Sequence, residues 1–150
     1  MGAKRAVDSS GGKGAAHLEK LMRRMYEAID AHDLDAMRAL VAPTYHGDGI
    51  MMEGEGPEAF ARTASTFLTA FPDLRIVAEQ TIAQGDYVAS RGYWTGTHQG
   101  AFGGVNPTQH VVQVGFLDMW QVQDGKFVRS WAQMDLLGLM QQLGAVSAHA

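Results

Sequence analysis

The chain of 150 residues contains no cysteine, only four prolines and no apolar run near membrane-spanning length. Each absence removes a class of protein. Without thiols there is no disulfide framework, no thiolate nucleophile, no Cys-ligated zinc site and no iron–sulfur cluster. A membrane helix needs about 20 consecutive apolar residues, and Lys4-Arg5 is not followed by the apolar core of a secretory signal. The expectation is a protein of the cytoplasm with no membrane partner. Basic charge is also short, with 12 Lys and Arg against 16 Asp and Glu for a net charge of −4. Nucleic-acid binding rests on cations neutralising phosphates, so it is not expected here. The six histidines, among them His17, His32, His110 and His149, form no HxxxH or HExxH spacing. No zinc site is expected.

What is present suits one domain. An apolar fraction of 46%, with 18 Gly and 9 Met, suffices for a single core with many turns. Residues 1–16 are rich in Gly, Ser and Ala, and are expected to form a disordered tail; Gly11 to Gly14 follows no strand and lacks phosphate-loop spacing. The domain is expected over 17–144, with 145–150 a frayed tail.

From His17 the apolar residues Leu18, Leu21, Met22, Met25 and Ile29 recur at helical spacing. Asp33 suits the cap of a second short helix through Leu34, Met37, Leu40 and Val41, which Pro43 stops. A short strand from Tyr45 to about Met51 follows, and Pro57 suits the first turn of a third helix carrying Phe60, Phe67, Leu68 and Phe71. After Phe71-Pro72-Asp73 the period switches towards two, predicting strands near 74–84, 86–98, 110–122 and 126–135. Gly85-Asp86 and Asp124-Gly125 read as hairpin turns. Helices first and long antiparallel strands afterwards define an α+β protein.

Four blocks carry a family resemblance. They are His46 in Tyr45-His46-Gly47; Phe71-Pro72-Asp73-Leu74; Gly96-Thr97-His98-Gln99-Gly100 followed by Pro107-Thr108; and Asp124-Gly125-Lys126 leading to Trp131, Asp135 and Gln141-Gln142-Leu143-Gly144. In order and spacing the chain resembles the SnoaL-like polyketide cyclases of the nuclear transport factor 2-like superfamily. The resemblance implies a cone-shaped α+β fold, with three N-terminal helices packed on a strongly bent antiparallel sheet and a small-molecule pocket at its open end. It also implies cofactor-independent aldol ring closure, with an aspartate on the last long strand as acid/base; Asp135 is the residue matched to it. Two blocks depart from the family pattern, which often reads His-Asn-Pro at His46-Gly47-Asp48 and Pro-Thr-Gly at Pro107-Thr108-Gln109.

Aldol closure needs a base beside a carbonyl and fixed donors for the enolate oxygen. Asp135 fits the base if apolar neighbours raise its pKa, and Trp131, four residues earlier on the same strand face, would supply such a wall. Asp135 equally suits the N-cap of a helix starting at Leu136. His98, at a Gly-flanked strand end, is either a donor or proton shuttle or an anchor of the following loop. Trp94 shares its strand face. Tyr26 and His46 are candidate polar contacts to substrate, or packing residues. Arg91 and Asp118 form either an ion pair or, as in epoxide hydrolases of the same superfamily, a water-polarising pair. Phe116, Met119, Trp120 and Phe127 read as core or dimer-face residues, and an apolar outer sheet face predicts a homodimer or higher homo-oligomer. The alternatives to a cyclase are a small-molecule binding protein without turnover and an epoxide or ester hydrolase.

Overall fold

The apolar stripe of the first helix organises the interior of the computed structural model, which describes residues 10–49 and 54–147. Helix α1 spans Ser10–Asp30 and buries Leu18, Leu21, Met22, Met25 and Tyr26 along one side. It starts ahead of His17, inside the stretch expected to be disordered. Ala15 and Ala16, strong helix formers, carry the regular backbone upstream. Residues 1–9 of the expected tail, 148–150 of the frayed end, and Met51 lie outside the described residues.

At the α1 end His32 takes a φ of 56°, and its Nε2–H donates to the Leu74 carbonyl at 3.2 Å. Asp33 then caps helix α2 (Leu34–Leu40) by accepting from the Ala36 amide at 2.9 Å. Strand β1 (Val41–Gly49) follows without a loop; Pro43 is tolerated because β1 is an edge strand. Helix α3 (Gly56–Ala70) has Pro57 in its first turn. It closes at Phe71-Pro72-Asp73, where Asp73 accepts from the Thr97 amide and hydroxyl, each at 2.7 Å.

Strands β2 (Arg75–Gln84), β3 (Tyr87–Thr97), β4 (Val111–Gln123) and β5 (Lys126–Met134) make an antiparallel meander, and α4 (Leu136–Gln142) ends the fold. The sheet order is β1-β5-β4-β3-β2. β1 joins β5 in parallel, a departure from the all-antiparallel expectation that the long intervening chain allows. Asp124 and Gly125, at φ 51° and 74°, form the mirror-image turn whose twist suits a tight hairpin. The sheet curls where β2 carries a bulge between Ala78 and Gln80. Opposite it Gly92 leaves room for the backbone, since a Cβ there would collide with the Val77 carbonyl.

Strand alternation then sorts the side chains. Ser90, Trp94, Val112, Val114, Asp118, Trp120 and Ser130 point towards the helices, while Arg91, Val111, Leu117, Met119 and Trp131 face outwards. The helices cover the concave face with two apolar clusters, one centred on Met22, Met25, Tyr45 and Phe127, the other on Phe71, Trp94, Val114 and Leu139.

Candidate active-site cavity

Between those clusters lies a cavity of about 160 Å³. α3 contributes Phe60, Phe67 and Leu68, β3 Trp94, β4 Trp120, and β5 Ala132. Trp120 is braced, with ring centroids 5.8 Å from Phe60, 6.3 Å from Tyr45 and 4.9 Å from Phe127. Polar groups on the wall are few. The Tyr45 hydroxyl and Ser130 Oγ share one hydrogen bond of 2.6 Å, and burial pushes the Tyr45 phenol up to about 12. Trp120 Nε1 is buried and has no hydrogen-bond partner among the described residues.

Asp118 adjoins this wall. On the inner face of β4 it lies between Phe116 and Trp120, opposite Ser90 of β3 and Ala132 of β5. Burial among these neighbours pushes its carboxyl up to about 6. The Trp120 indole, the Tyr26 hydroxyl and the Ser90 backbone pull the other way. The indole lies near enough to favour the carboxylate, yet outside hydrogen-bond geometry. Tyr26 donates to both carboxylate oxygens at 3.3 Å, and its own pKa is raised by burial and by the adjacent negative charge. A carboxyl near neutrality beside an apolar chamber is suited to move a proton to or from carbon.

A family model of the SnoaL-like polyketide cyclases matches residues 19–143. The chain belongs to that family. No curated protein matches the sequence closely enough to count as a relative, but solved structures do. TsrD from Streptomyces laurentii is 27% identical with a TM-score of 0.80, over 87% of this chain and 97% of that one. AclR from Streptomyces galilaeus, a proposed hydroxylase, is 28% identical with a TM-score of 0.81, over 90% and 85%. IdmH from Streptomyces antibioticus, a proposed polyketide cyclase, is 29% identical with a TM-score of 0.73, over 84% and 97%.

Within this SnoaL-like fold the sequence-derived site residues separate. Trp131 faces outwards from β5, and Asp135 lies just past the end of that strand, at Met134, and not on its face. Asp135 is exposed and caps α4, accepting from the Gly138 amide at 2.8 Å. Asp135→Ala is therefore expected to cost about 1 kcal/mol of stability in urea denaturation and to leave turnover unchanged. Trp131 lies beneath the Arg129 guanidinium, 4.8 Å from its ring centroid. His98 is fully buried, packs against Phe71 and does not line the cavity. Its Nδ1 accepts from the Thr108 amide at 3.1 Å, so the proton of the neutral ring sits on Nε2. Burial lowers its pKa, and its contacts anchor the loop between β3 and β4.

His98 and Asp135 do not meet. Asp135 is bonded to Gly115, opposite Tyr93, and His98 lies five residues further, about 16 Å along the strand. Arg91 does not reach Asp118 either, because successive strand residues point to opposite faces. It pairs instead with Glu79 at 3.1 Å and lies opposite Leu117. His46 is exposed, 3.5 Å from Asp48; its neighbour Tyr45 takes the inward position. Tyr26, Trp94 and Asp118 are the candidates that the fold brings to or beside the cavity. Tyr45 and Ser130 are not among the site residues that the sequence suggests, and Trp120 reads there as a core or dimer-face residue. Trp120 and Asp118 share the apolar phase Val112, Val114, Phe116 on β4, a signal visible in the alternation itself.

Among the described residues no helix is long and apolar enough to cross a membrane, and no group of three or more His, Asp or Glu is placed to hold a metal.

Proposed function

We propose that the protein is a cofactor-independent acid/base enzyme of the cyclase type, acting at carbon next to a carbonyl in a small, apolar, oxygenated molecule, with Asp118 as the base. The observation that carries this reading is the half-buried Asp118 carboxyl, its pKa raised to about 6 by burial, beside the apolar cavity. Asp118 takes the α-proton, and the electron pair moves to the carbonyl oxygen as an enolate. The enolate carbon attacks a second carbonyl of the same molecule, one C–C bond forms, and the protonated Asp118 returns its proton to the new alkoxide. No oxidant, metal or water is consumed. Tyr26 orients the carboxylate, and the Tyr45–Ser130 hydroxyl pair on the wall supplies a donor for the enolate oxygen.

The test is a panel of polyketide-like keto esters and simple ketones in D₂O, with α-carbon exchange and ring closure followed by NMR. Exchange above the buffer rate supports the reading, and exchange at the buffer rate for every substrate between pH 5 and 9 defeats it. The apolar wall also suits a carrier without turnover. Such a protein would release an intact ligand in native mass spectrometry after gentle purification.

The outer sheet face supports self-association. Val111 and Leu117 are 75% and 62% exposed there, and Met119 follows Leu117 on the same face; exposed apolar side chains gathered on one face mark an interaction surface. Light scattering at micromolar concentration is expected to give the mass of two chains. Leu117→Glu, which sets a charge against its copy across the two-fold, is expected to give the mass of one.

A further inference from the structure

We infer that Trp120 is a positioning residue for Asp118: its indole N–H closes on the carboxylate when Asp118 is ionised and lets go when Asp118 takes a proton. The inference rests on Asp118 as the base and names what holds that base in its active form. Two complementary deficits on the inner face of β4 carry it. Trp120 is 5% exposed, and its Nε1–H has no partner among the described residues. A buried donor left unpaired is costly, so an acceptor within reach is strongly favoured. Phe60 and Phe127, packed on the indole, offer no lone pair. Ser130, opposite it on β5, already shares its hydroxyl with Tyr45 at 2.6 Å.

Asp118 has the matching shortage. A carboxylate accepts at about four positions, yet Tyr26 spreads a single hydrogen over both oxygens at 3.3 Å each, beyond the usual O–H···O range of roughly 2.5–3.0 Å. The two residues are next neighbours on one strand face, and the indole already lies against the carboxylate. A small rotation of either side chain completes the bond. Charge-assisted hydrogen bonds are about twice as strong as neutral ones, so the contact favours the ionised form. It keeps the carboxylate populated beside an apolar wall and, with Tyr26, restrains its rotation. The other titratable groups that sense Asp118 are Tyr26 from α1 and Tyr45 from β1; burial raises both, so both stay protonated between pH 4 and 8. β3 and β5 set Ser90 and Ala132 beside it, and neither titrates.

The experiment is a ligand-free NMR titration of the full ¹⁵N-labelled chain, with ¹³C at the Asp carboxyls, from pH 4 to 8. The Trp120 Nε1–H resonance is expected to move downfield as pH rises, with the midpoint of the Asp118 carboxyl, and its protection from hydrogen exchange to increase above that midpoint. Trp94 and Trp131 should not follow, and Asp118→Asn should abolish the transition. Trp120→Phe should raise the Asp118 midpoint by about one pH unit, a tenfold change in proton affinity. Tyr26→Phe should raise it too but leave the Trp120 transition in place. Circular dichroism reports whether the variants fold, and the wild-type titration decides without them. A Trp120 resonance that stays flat while the carboxyl titrates overturns the inference, as does protection that does not increase or a folded Trp120→Phe with an unchanged midpoint. Proton exchange at substrate carbon is read separately. Its absence with the Trp120 transition present defeats the acid/base reading and leaves the pairing intact; the reverse result defeats the pairing alone.

Discussion

Asp118→Asn is expected to lower α-proton exchange by roughly 10²–10⁴-fold, the contribution of a positioned general base. Asn keeps the shape and can still accept from Tyr26, so the loss reports the missing base and not a collapsed wall. The pH dependence follows from the same group. Its pKa is raised by burial to about 6, so the carboxylate that removes the proton is scarce below that value. The wild-type rate should rise about tenfold per pH unit through the acidic range and level off above about 6. In the variant this inflection should vanish. A profile flat from pH 4 to 8 in the wild type would remove Asp118 from the chemistry.

The same substitution is expected to stabilise the protein, by up to about 3 kcal/mol at pH 8. In the unfolded chain Asp118 titrates near the ordinary carboxylate value of 3.8, and in the folded chain near 6. Between these values the folded state holds the proton more tightly, so stability falls as pH rises through the window. Below it the two forms should be equally stable. Above it the wild type carries a buried charge that Asn does not. Urea denaturation of both proteins at pH 3.5 and 8 reads the difference directly. Equal stability at both values would show that Asp118 is not desolvated.

Much of the fold is legible in local pattern. The stripe from Leu18 to Ile29, the Asp33 cap, Pro57 opening α3 and the Asp124-Gly125 turn each act through neighbours within a few residues, so periodicity and turn chemistry expose them. The inward set Ser90, Trp94, His98 is legible for the same reason. Asp118 was visible as a carboxylate but not as an isolated one. Its pairing with Arg91 failed on parity, since Ser90 and not Arg91 faces the same side in register with it. Asp135 is the opposite case. Its position before Leu136 already suited a cap, and that local role is the one the fold uses.

The sequence by itself determined the α+β class, the order of helices and strands, the family blocks and the absence of any thiol chemistry, because these depend on residue type and short-range spacing. Only the tertiary structure decided how far the inward face closes over its side chains and where Asp135 falls relative to it. The bulge in β2 and the close approach at Gly92 curl the sheet towards the helices, and this long-range geometry encloses Asp118 and Trp120 while leaving Asp135 exposed and Trp131 half-buried on the outer face. Burial sets a carboxyl's proton affinity, so the face that closed on the helices also fixed which aspartate is equipped to act as a base.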